Sequence, residues 1–368
     1  MKNKKFIIAS AAAVLTLIAI YYISSAKKDS SEIFSAGNSG KSESIDDKVK
    51  RLRDGDTSVI REIIEDDKSR KNLREIAKVY EKELRFPLYS RPIDEKSHDL
   101  LYPHEFIPVQ RSFPGNDKLF YDLVLSKQVM ILGEPISATL RVTSKEDVVP
   151  EIISAKARLI DDDRGRKSVA NFDLKRTEST ERSRIFTAEY TPPGGTQLSD
   201  HMTMVVSFQP VGYSEMTVTA QFTYADPAAK VTGIGNVTVD GAHLVIPVNL
   251  ETKKSGGDYR VTGNLYSAGS DKPLVNAFGV SPISGSSGTV EIKIHAAALR
   301  EKGDPGPYVL KTLTVERLPT TKEPMLYGTG QDKEFQISRH DLSQYSNENY
   351  SNPEEQKKLE MLKNFLGE

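Results

Sequence analysis

Side chains that could act as a nucleophile are few in this sequence. The stretch GVSPISG, residues 279–285, matches the nucleophile elbow G-x-S-x-G as far as Ser281, but Ile283 stands where the second glycine belongs. The residues before it are typical of a sandwich strand, whereas the elbow needs a strand that feeds a helix. Cysteine is absent, so a thiolate nucleophile is excluded. We therefore expect Ser281 to be structural and the protein not to be an enzyme.

Acidic and imidazole side chains could bind a metal, and two segments hold them close together. In DDDRGR, residues 161–166, consecutive carboxylates point to alternate sides of an extended chain and two arginines compete for them. His98 and His104 lie in a proline-rich segment without a regular element to fix their geometry. The remaining strand-associated histidines each stand alone in the sequence: His201, His243 and His295. We predict a hairpin tip at 161–166 and no metal or other cofactor.

Two glycine-containing stretches could approach phosphate. SAGNSGKS, residues 35–42, departs from G-x-x-x-x-G-K-[ST] because Ser35 takes the first glycine position, and no strand precedes it. GIGNVT, residues 233–238, leads into a strand, so no helix N-terminus would face a pyrophosphate. Lys+Arg 50 against Asp+Glu 51 leaves no positive excess for a nucleic acid. We expect neither nucleotide nor nucleic acid as a partner.

The stretch GDPGPYVLKTLTVERL, residues 303–318, could be either a ligand loop or a turn that directs a strand. It supplies one carboxylate, Asp304, whereas a calcium ion needs about six or more oxygen ligands. A short helix before it is predicted to end at Gly303, and Tyr308 begins the last long strand, with its hydroxyl bonding back across the corner. The alternation slips near Lys311, which indicates a β-bulge. The sequence favours a structural turn.

The start of the chain has the pattern of an export segment. Three lysines within the first five residues precede residues 6–26, which carry no charge and would form a helix of roughly 30 Å, the thickness of a bilayer's hydrocarbon core. An uncleaved inner-membrane anchor, with the rest of the chain facing the periplasm or cell exterior, is favoured. The alternative is a signal peptide that is cleaved after the small residues at 24–26, so that the protein is exported. The predicted anchor residues are Phe6, Ile7, Ile8, Val14, Leu15, Leu17, Ile18, Ile20, Tyr21 and Tyr22.

Three segments of different composition follow the anchor at 1–26. Residues 27–44 are rich in serine, glycine and lysine, which predicts a flexible linker. Residues 45–85 carry apolar side chains at helical spacing and predict a short helical pair. Residues 86–117 contain repeated prolines, which predict an extended connector without helix.

From residue 118 onward the hydrophobic period becomes two. In EMTVTAQFTY, residues 215–224, apolar side chains alternate with Thr and Gln, and similar short strands recur through 118–226 and 227–340. We predict a mainly β fold of two tandem immunoglobulin-like β-sandwiches, with an N-terminal transmembrane or signal helix, a short helical pair and a C-terminal helix. Because cysteine is absent, these sandwiches cannot be of the disulfide-bearing kind.

The tail, residues 341–368, ends in an amphipathic helix. Asn352 is a good N-cap, and Pro353 suits the first helical position. A helix of this length needs a surface on which to bury its apolar stripe. Two alternatives stay open: packing on the helical segment around 57–85, or contact with another protein. The candidate contact residues are Leu359, Leu362, Phe365 and Leu366.

The order of these parts resembles a known group of bacterial proteins. The Pro-rich FPLYSRPID…DLLYP, the strand IFTAEYTP, the closing GPYVLKTLTVER and the tail NPEEQKKLEMLKNFL are similar to the uncharacterised envelope proteins of the choice-of-anchor X type, which carry Ig-like modules. The resemblance implies an extracytoplasmic bacterial protein and supplies no activity or site residues.

These observations together favour a membrane-tethered scaffold or protein-binding module of the cell envelope. Its partners would be the membrane, through the N-terminal helix, and another envelope protein. The alternative is a surface adhesin or carbohydrate-binding protein that recognises its ligand with sandwich loops. An exposed row of aromatic side chains would favour that alternative.

Overall fold

The computed structural model describes residues 67–146, 148–193, 198–253, 256–330 and 332–366. Our predictions for the anchor at 1–26, the linker at 27–44 and the start of the helical segment at 45–66 lie outside these residues. Among the residues described, no helix is both long enough and apolar enough to cross a bilayer.

The described residues form four α-helices and twenty strands. These residues fall into two compact units, one with residues 67–87 and 347–366 and the other within residues 88–346. The helices are α1 (Asp67–Glu83), α2 (His98–Leu101), α3 (Ala296–Lys302) and α4 (Pro353–Leu366). The strands are β1 (Ser90–Pro92), β2 (Arg111–Phe113), β3 (Asn116–Leu125), β4 (Val129–Ile131), β5 (Ile136–Ser144), β6 (Ile152–Asp161), β7 (Lys167–Asp173), β8 (Lys175–Ser179), β9 (Ser183–Tyr190), β10 (His201–Pro210), β11 (Met216–Ala225), β12 (Ala229–Ile234), β13 (Thr238–Asp240), β14 (His243–Thr252), β15 (Gly257–Ser267), β16 (Pro273–Ile283), β17 (Ser287–His295), β18 (Tyr308–Arg317), β19 (Leu326–Gly328) and β20 (Phe335–Ile337).

The first sandwich is built from two five-stranded sheets. Their orders are β2-β3-β5-β9-β8 and β4-β11-β10-β6-β7, antiparallel except where β4 runs parallel to β11. The alternation predicted for 215–224 is confirmed, because the apolar side chains of β11 are buried and the residues between them are largely exposed. Apolar side chains from both sheets share one core, among them Leu123, Leu140 and Phe186 from one sheet and Leu159, Met204 and Phe222 from the other.

The second sandwich also pairs two sheets. In one sheet, β14 pairs with β12 and β13 at different parts of its length and with β17 along nearly all of it. The other sheet has the order β1-β16-β15-β18-β19, and β20 also pairs with β18. The two sheets approach closely where β16 passes β17. A Cβ atom added at Gly279 would lie 2.7 Å from the carbonyl carbon of Glu291, so only glycine fits this position.

The connector at 86–117 is more structured than the sequence predicted. Residues of β1 pair with β16, so the connector adds an edge strand to the second sandwich. The prediction of no helix is wrong at α2, a single turn placed between the prolines at 92 and 103. Proline disrupts a helix only where it replaces a donor or crowds the preceding turn, and α2 contains none.

Candidate functional site

The tail helix α4 packs against α1 within the helical unit. Leu359, Leu362 and Leu366 form one buried cluster with side chains of α1, namely Leu73, Ile76 and Ala77. The side chain of Phe365 is not among those described. The apolar stripe that the sequence offered to a partner is therefore covered by the same chain, which is the intramolecular alternative.

Polar contacts flank this helical cluster. The Tyr80 hydroxyl donates to the carboxylate of Glu355, and Lys363 contacts Glu81 at 2.8 Å. Burial, followed by the neighbouring Glu355, raises the pKa of Tyr80 above its ordinary value. Hydrogen bonds from Lys358 and then from Tyr80 lower the pKa of Glu355. The pair therefore exists as a neutral phenol and a carboxylate at neutral pH, and it fixes the register of α1 on α4.

The loop that begins at Gly303 is structural, as the sequence predicted. Gly303 ends α3 in the left-handed conformation, with φ 65°. Asp304 accepts a hydrogen bond from the amide of Gly306 at 2.8 Å, and the Tyr308 hydroxyl donates to the carbonyl oxygen of Asp304 at 2.8 Å. A register shift and a positive φ at Thr312 confirm the bulge near Lys311. The carboxylate of Asp304 therefore closes its own turn.

The acidic run at 161–166 joins β6 to β7, which confirms the hairpin tip. Asp161 is buried and accepts a hydrogen bond from the Ser199 amide at 3.1 Å. Asp163 contacts the His201 ring at 3.0 Å, and this hydrogen bond lowers the pKa of Asp163. Within the described residues, no three acidic, histidine or cysteine side chains are placed to hold a metal ion together.

Two histidines that the sequence treated as isolated are neighbours. His243 and His295 face each other across β14 and β17, with ring centroids 5.1 Å apart. The Tyr89 hydroxyl lies 2.8 Å from His243 Nε2, and the amide of His295 donates to Ser90 Oγ. Burial, followed by the charge of Lys293, lowers the pKa of His243. These contacts fasten the connector to the second sandwich, and nothing in the sequence indicated them because His243 and His295 lie on separate strands.

The other chemical candidates lie apart from one another. Ser281 lies within β16, opposite Tyr259 of β15, so it occupies a position in a regular strand ladder rather than a sharp turn. His98 Nδ1 contacts Glu105 at 3.1 Å on the surface. His104 instead lies edge-on to Tyr327, with ring centroids 5.6 Å apart. No shared site therefore unites His98 with His104.

An apolar surface lies at one end of the first sandwich, and we call it the apolar tip. It consists of Val148 in the β5–β6 loop, Ile153 at the start of β6 and Val211 in the β10–β11 loop, which are 68%, 69% and 52% exposed. The two loops are adjacent because the Val211 amide donates to the Glu151 carbonyl at 2.8 Å. Solvent-exposed aliphatic residues grouped in neighbouring loops are a feature of contact surfaces.

A concave site lies where the first and second sandwiches meet, and we call it the junction cleft. Its volume is about 520 Å³, within the range of roughly 300–1,000 Å³ that is usual for small-molecule sites. Its apolar lining includes Val129, Ile131 and Val231. The wall is drawn from residues 127–134, 227–231, 251–253, 327–330 and 332–333, with His104 and Thr314.

Sequence reasoning missed the junction cleft completely. Its walls come from the connector, the first sandwich and four separate segments of the second. No spacing in the sequence links these segments, and their side chains are common surface types. The sequence gives one indication of it: the alternation of apolar and polar residues is interrupted near Lys311, in the strand β18 that also contains Thr314.

No family model matches the sequence, and no curated protein matches it. Similar solved structures include a DUF4785 family protein from Legionella pneumophila subsp. pneumophila str. Philadelphia 1, with 14% identity, a TM-score of 0.37, and coverage of 62% of this chain and 58% of that one. The resemblance to the choice-of-anchor X proteins stays a prediction.

Two further similar structures come from different kinds of protein. Red sea bream transglutaminase has 11% identity and a TM-score of 0.26, with coverage of 60% of this chain and 31% of that one. A tetra-tandem repeat in the extending region of a large adhesion protein has 10% identity and a TM-score of 0.23, with coverage of 59% and 48%. This chain thus spans less than two thirds of each matched structure, and TM-scores this low carry no argument about activity.

Proposed function

We propose that the chain is a non-enzymatic, membrane-tethered envelope protein whose two immunoglobulin-like sandwiches act as a scaffold and protein-binding module outside the cytoplasm. The strand order supports the immunoglobulin-like assignment. In the first sandwich, β3-β5-β9-β8 follows the order A-B-E-D and β11-β10-β6-β7 follows G-F-C-C′. The uncharged segment at residues 6–26 supports the tether.

The observation that carries the protein-binding part is the position of the apolar tip. Its residues belong to the B–C and F–G connections, which variable immunoglobulin domains use for recognition. The tip lies at the beginning of β11, whereas the chain leaves the far end of this ten-residue strand, roughly 33 Å away, to enter the second sandwich. The tip is therefore remote from the junction cleft and open to a partner.

Site-specific photocrosslinking in intact cells tests this assignment. A photoreactive amino acid at Val211 is expected to give a defined adduct with another envelope protein. The same substitution at Val280, a 44% exposed valine on β16, is the matched control and should give none. Equal adducts at both positions, or an adduct at neither, would contradict a partner site at the tip.

Membrane fractionation tests the tether separately. The full chain is expected to stay with membranes after a high-salt wash and to be degraded by protease added from the periplasmic side. A mature chain that begins at Lys27 would instead establish cleavage of the N-terminal segment.

The described residues do not show the row of exposed aromatic side chains that carbohydrate recognition by surface loops would require. Among them, Tyr102 is the one aromatic that is largely exposed. We do not propose that surface mode of binding.

A further inference from the structure

The junction cleft is lined by the side chain of Thr314, whose hydroxyl is accessible from the cleft. Thr314 is 8% exposed and lines the cleft, and its side chain makes no hydrogen bond within the described part of the chain. The other buried threonines are satisfied: Thr203 donates to Asp162 at 2.5 Å, and Thr252 donates to the Gly285 carbonyl at 2.8 Å. Because the Thr314 hydroxyl is neither hydrogen-bonded within the described residues nor sealed from solvent, it can form a hydrogen bond with a ligand that enters the cleft.

Charged side chains around the cleft are balanced in sign. Lys127 pairs with Glu134 at 3.0 Å, and Lys253 pairs with Asp226 at 2.8 Å. Four other charged side chains lining the cleft, two basic and two acidic, make no ion pair within the described residues: Lys230, Lys333, Glu251 and Asp332. Because their charges cancel, the cleft has no net excess that would select an ion of either sign. It does offer hydrogen-bond donors and acceptors side by side.

An aromatic pair completes the wall of the cleft. Burial, followed by the charge of Lys127, lowers the pKa of His104, so its ring is neutral at pH 7. Burial, followed by the charges of Glu316 and Asp200, raises the pKa of Tyr327, so its hydroxyl keeps its proton. That hydroxyl has no hydrogen-bond partner among the described residues. The pair therefore offers an apolar ring surface next to a group that both donates and accepts.

We propose that the junction cleft is a binding site for a neutral polyhydroxylated molecule of about disaccharide size. Each hydroxyl of such a ligand donates one hydrogen bond and accepts others, which matches a wall that carries lysines, carboxylates and hydroxyls. The C–H face of a sugar ring packs on Tyr327 and His104, and Thr314 anchors one ligand hydroxyl. The site is independent of the apolar tip and of the protein-binding function proposed above.

Isothermal titration of the full chain in detergent tests the site with three neutral disaccharides, maltose, lactose and N,N′-diacetylchitobiose, and with inorganic phosphate. At least one disaccharide is expected to bind saturably at concentrations up to about 10 mM, and phosphate is not. Thr314→Val keeps the shape of the side chain and removes the hydroxyl, so it should weaken binding about three- to tenfold. Tyr327→Phe should weaken it by a similar factor.

The matched control is Thr262→Val. Thr262 lies directly across the ladder from Thr314 but does not line the cleft, so its substitution should leave sugar affinity unchanged. The proposal is overturned if no disaccharide binds, if phosphate binds instead, or if both threonine variants weaken binding equally. It is also overturned if Thr314→Val leaves sugar affinity intact, since the hydroxyl would then make no contact with a bound sugar.

Discussion

The two sandwiches share a strand arrangement but differ at their last strands. In the first, β10 and β11 pair without interruption from His201 to Phe208. In the second, β18 has a divided partner: β20 pairs at Tyr308–Leu310 and β19 at Val315–Arg317. Between them, residues 311–314 have no strand partner on that side within the described chain, and Thr312 has φ 55°.

This difference teaches how a stable sandwich can acquire a concave surface. The break in the last strand leaves Thr314 facing the junction cleft instead of another strand. The chain then crosses the gap at Gly330, where an added Cβ would lie 2.7 Å from Val231 and 3.3 Å from the Leu313 carbonyl oxygen. The first sandwich keeps the pairing of its last two strands intact, and its proposed contact surface, the apolar tip, lies on loops.

The largest expected effect is in the first core. Phe208 is 1% exposed, and its ring lies 5.4 Å from Tyr121 and 6.4 Å from Phe113, measured between centroids. Phe208→Ala should lower the free energy of unfolding by about 3–5 kcal/mol, because it removes a large buried side chain. Urea denaturation measures the loss, and the exposed control Val211→Ala should change it by less than about 0.5 kcal/mol. Equal losses in the two variants would show that the first sandwich does not depend on this core.

The second sandwich should be most sensitive where its sheets approach. Gly279→Ala forces a methyl group into the backbone of Glu291, so it should destabilise the fold by about 2–3 kcal/mol. Gly233→Ala, at a glycine with no atom near its added Cβ, is the control and should have little effect. Denaturant midpoints compare the two, and a stable Gly279→Ala protein would refute the close approach of β16 to β17.

Buried tyrosines allow a matched comparison of the two sandwiches. Tyr308→Phe removes one hydrogen bond, to the Asp304 carbonyl, and should cost about 1 kcal/mol. Tyr224→Phe in the first sandwich removes two, since its hydroxyl donates to the Glu134 carbonyl and accepts from the Gly133 amide, and should cost more. Thermal unfolding of both variants checks the order, and the reverse order would mean that the turn at Asp304 depends on Tyr308 for more than one bond.

The smallest expected effect is a difference in acid sensitivity. The pKa of His243 is lower in the folded than in the unfolded chain, so the unfolded state binds more protons and stability falls as pH drops below about 6.5. The lowered pKa of Asp163 affects stability at lower pH. Its stabilising contribution is complete above the unfolded pKa of about 4 and is lost as the pH falls below that value. Melting temperatures between pH 7 and 5 should fall less for His243→Gln than for the parent, whereas Asp163→Asn should leave that interval unchanged. A parent slope retained in His243→Gln would assign the acid sensitivity to another group.

Local features of both sandwiches could be predicted from the sequence because short-range chemistry determines them. The period of two in β11, the glycine that ends α3, and the tyrosine corner at Tyr308 all depend on residues within one element or one turn. The bulge in β18 was also visible, since it shifts which side chains face the core.

Features that depend on distant segments could not be predicted. The pairing of β1 with β16 and the contact between His243 and His295 require the chain to be folded first. The junction cleft is the clearest case, because its lining residues come from segments that are distant in the sequence and meet only in the folded chain. The sequence contains every one of these residues but not the distances among them.

The pairing of α1 with α4 has a consequence for the order of assembly. Tyr80 and Glu355, which join the two helices, are 275 residues apart in the chain. During synthesis, α1 emerges long before α4, so Leu73 and Ile76 remain exposed to solvent at first. The sandwiches form earlier because their contacts join residues that are closer in the sequence. Before the sandwiches fold, joining α1 to α4 would close a long flexible loop, and this closure costs entropy. Folding of the sandwiches removes most of that cost because the intervening chain is then ordered. The helical unit is therefore the last part to be completed, and unfolding of either sandwich should loosen it.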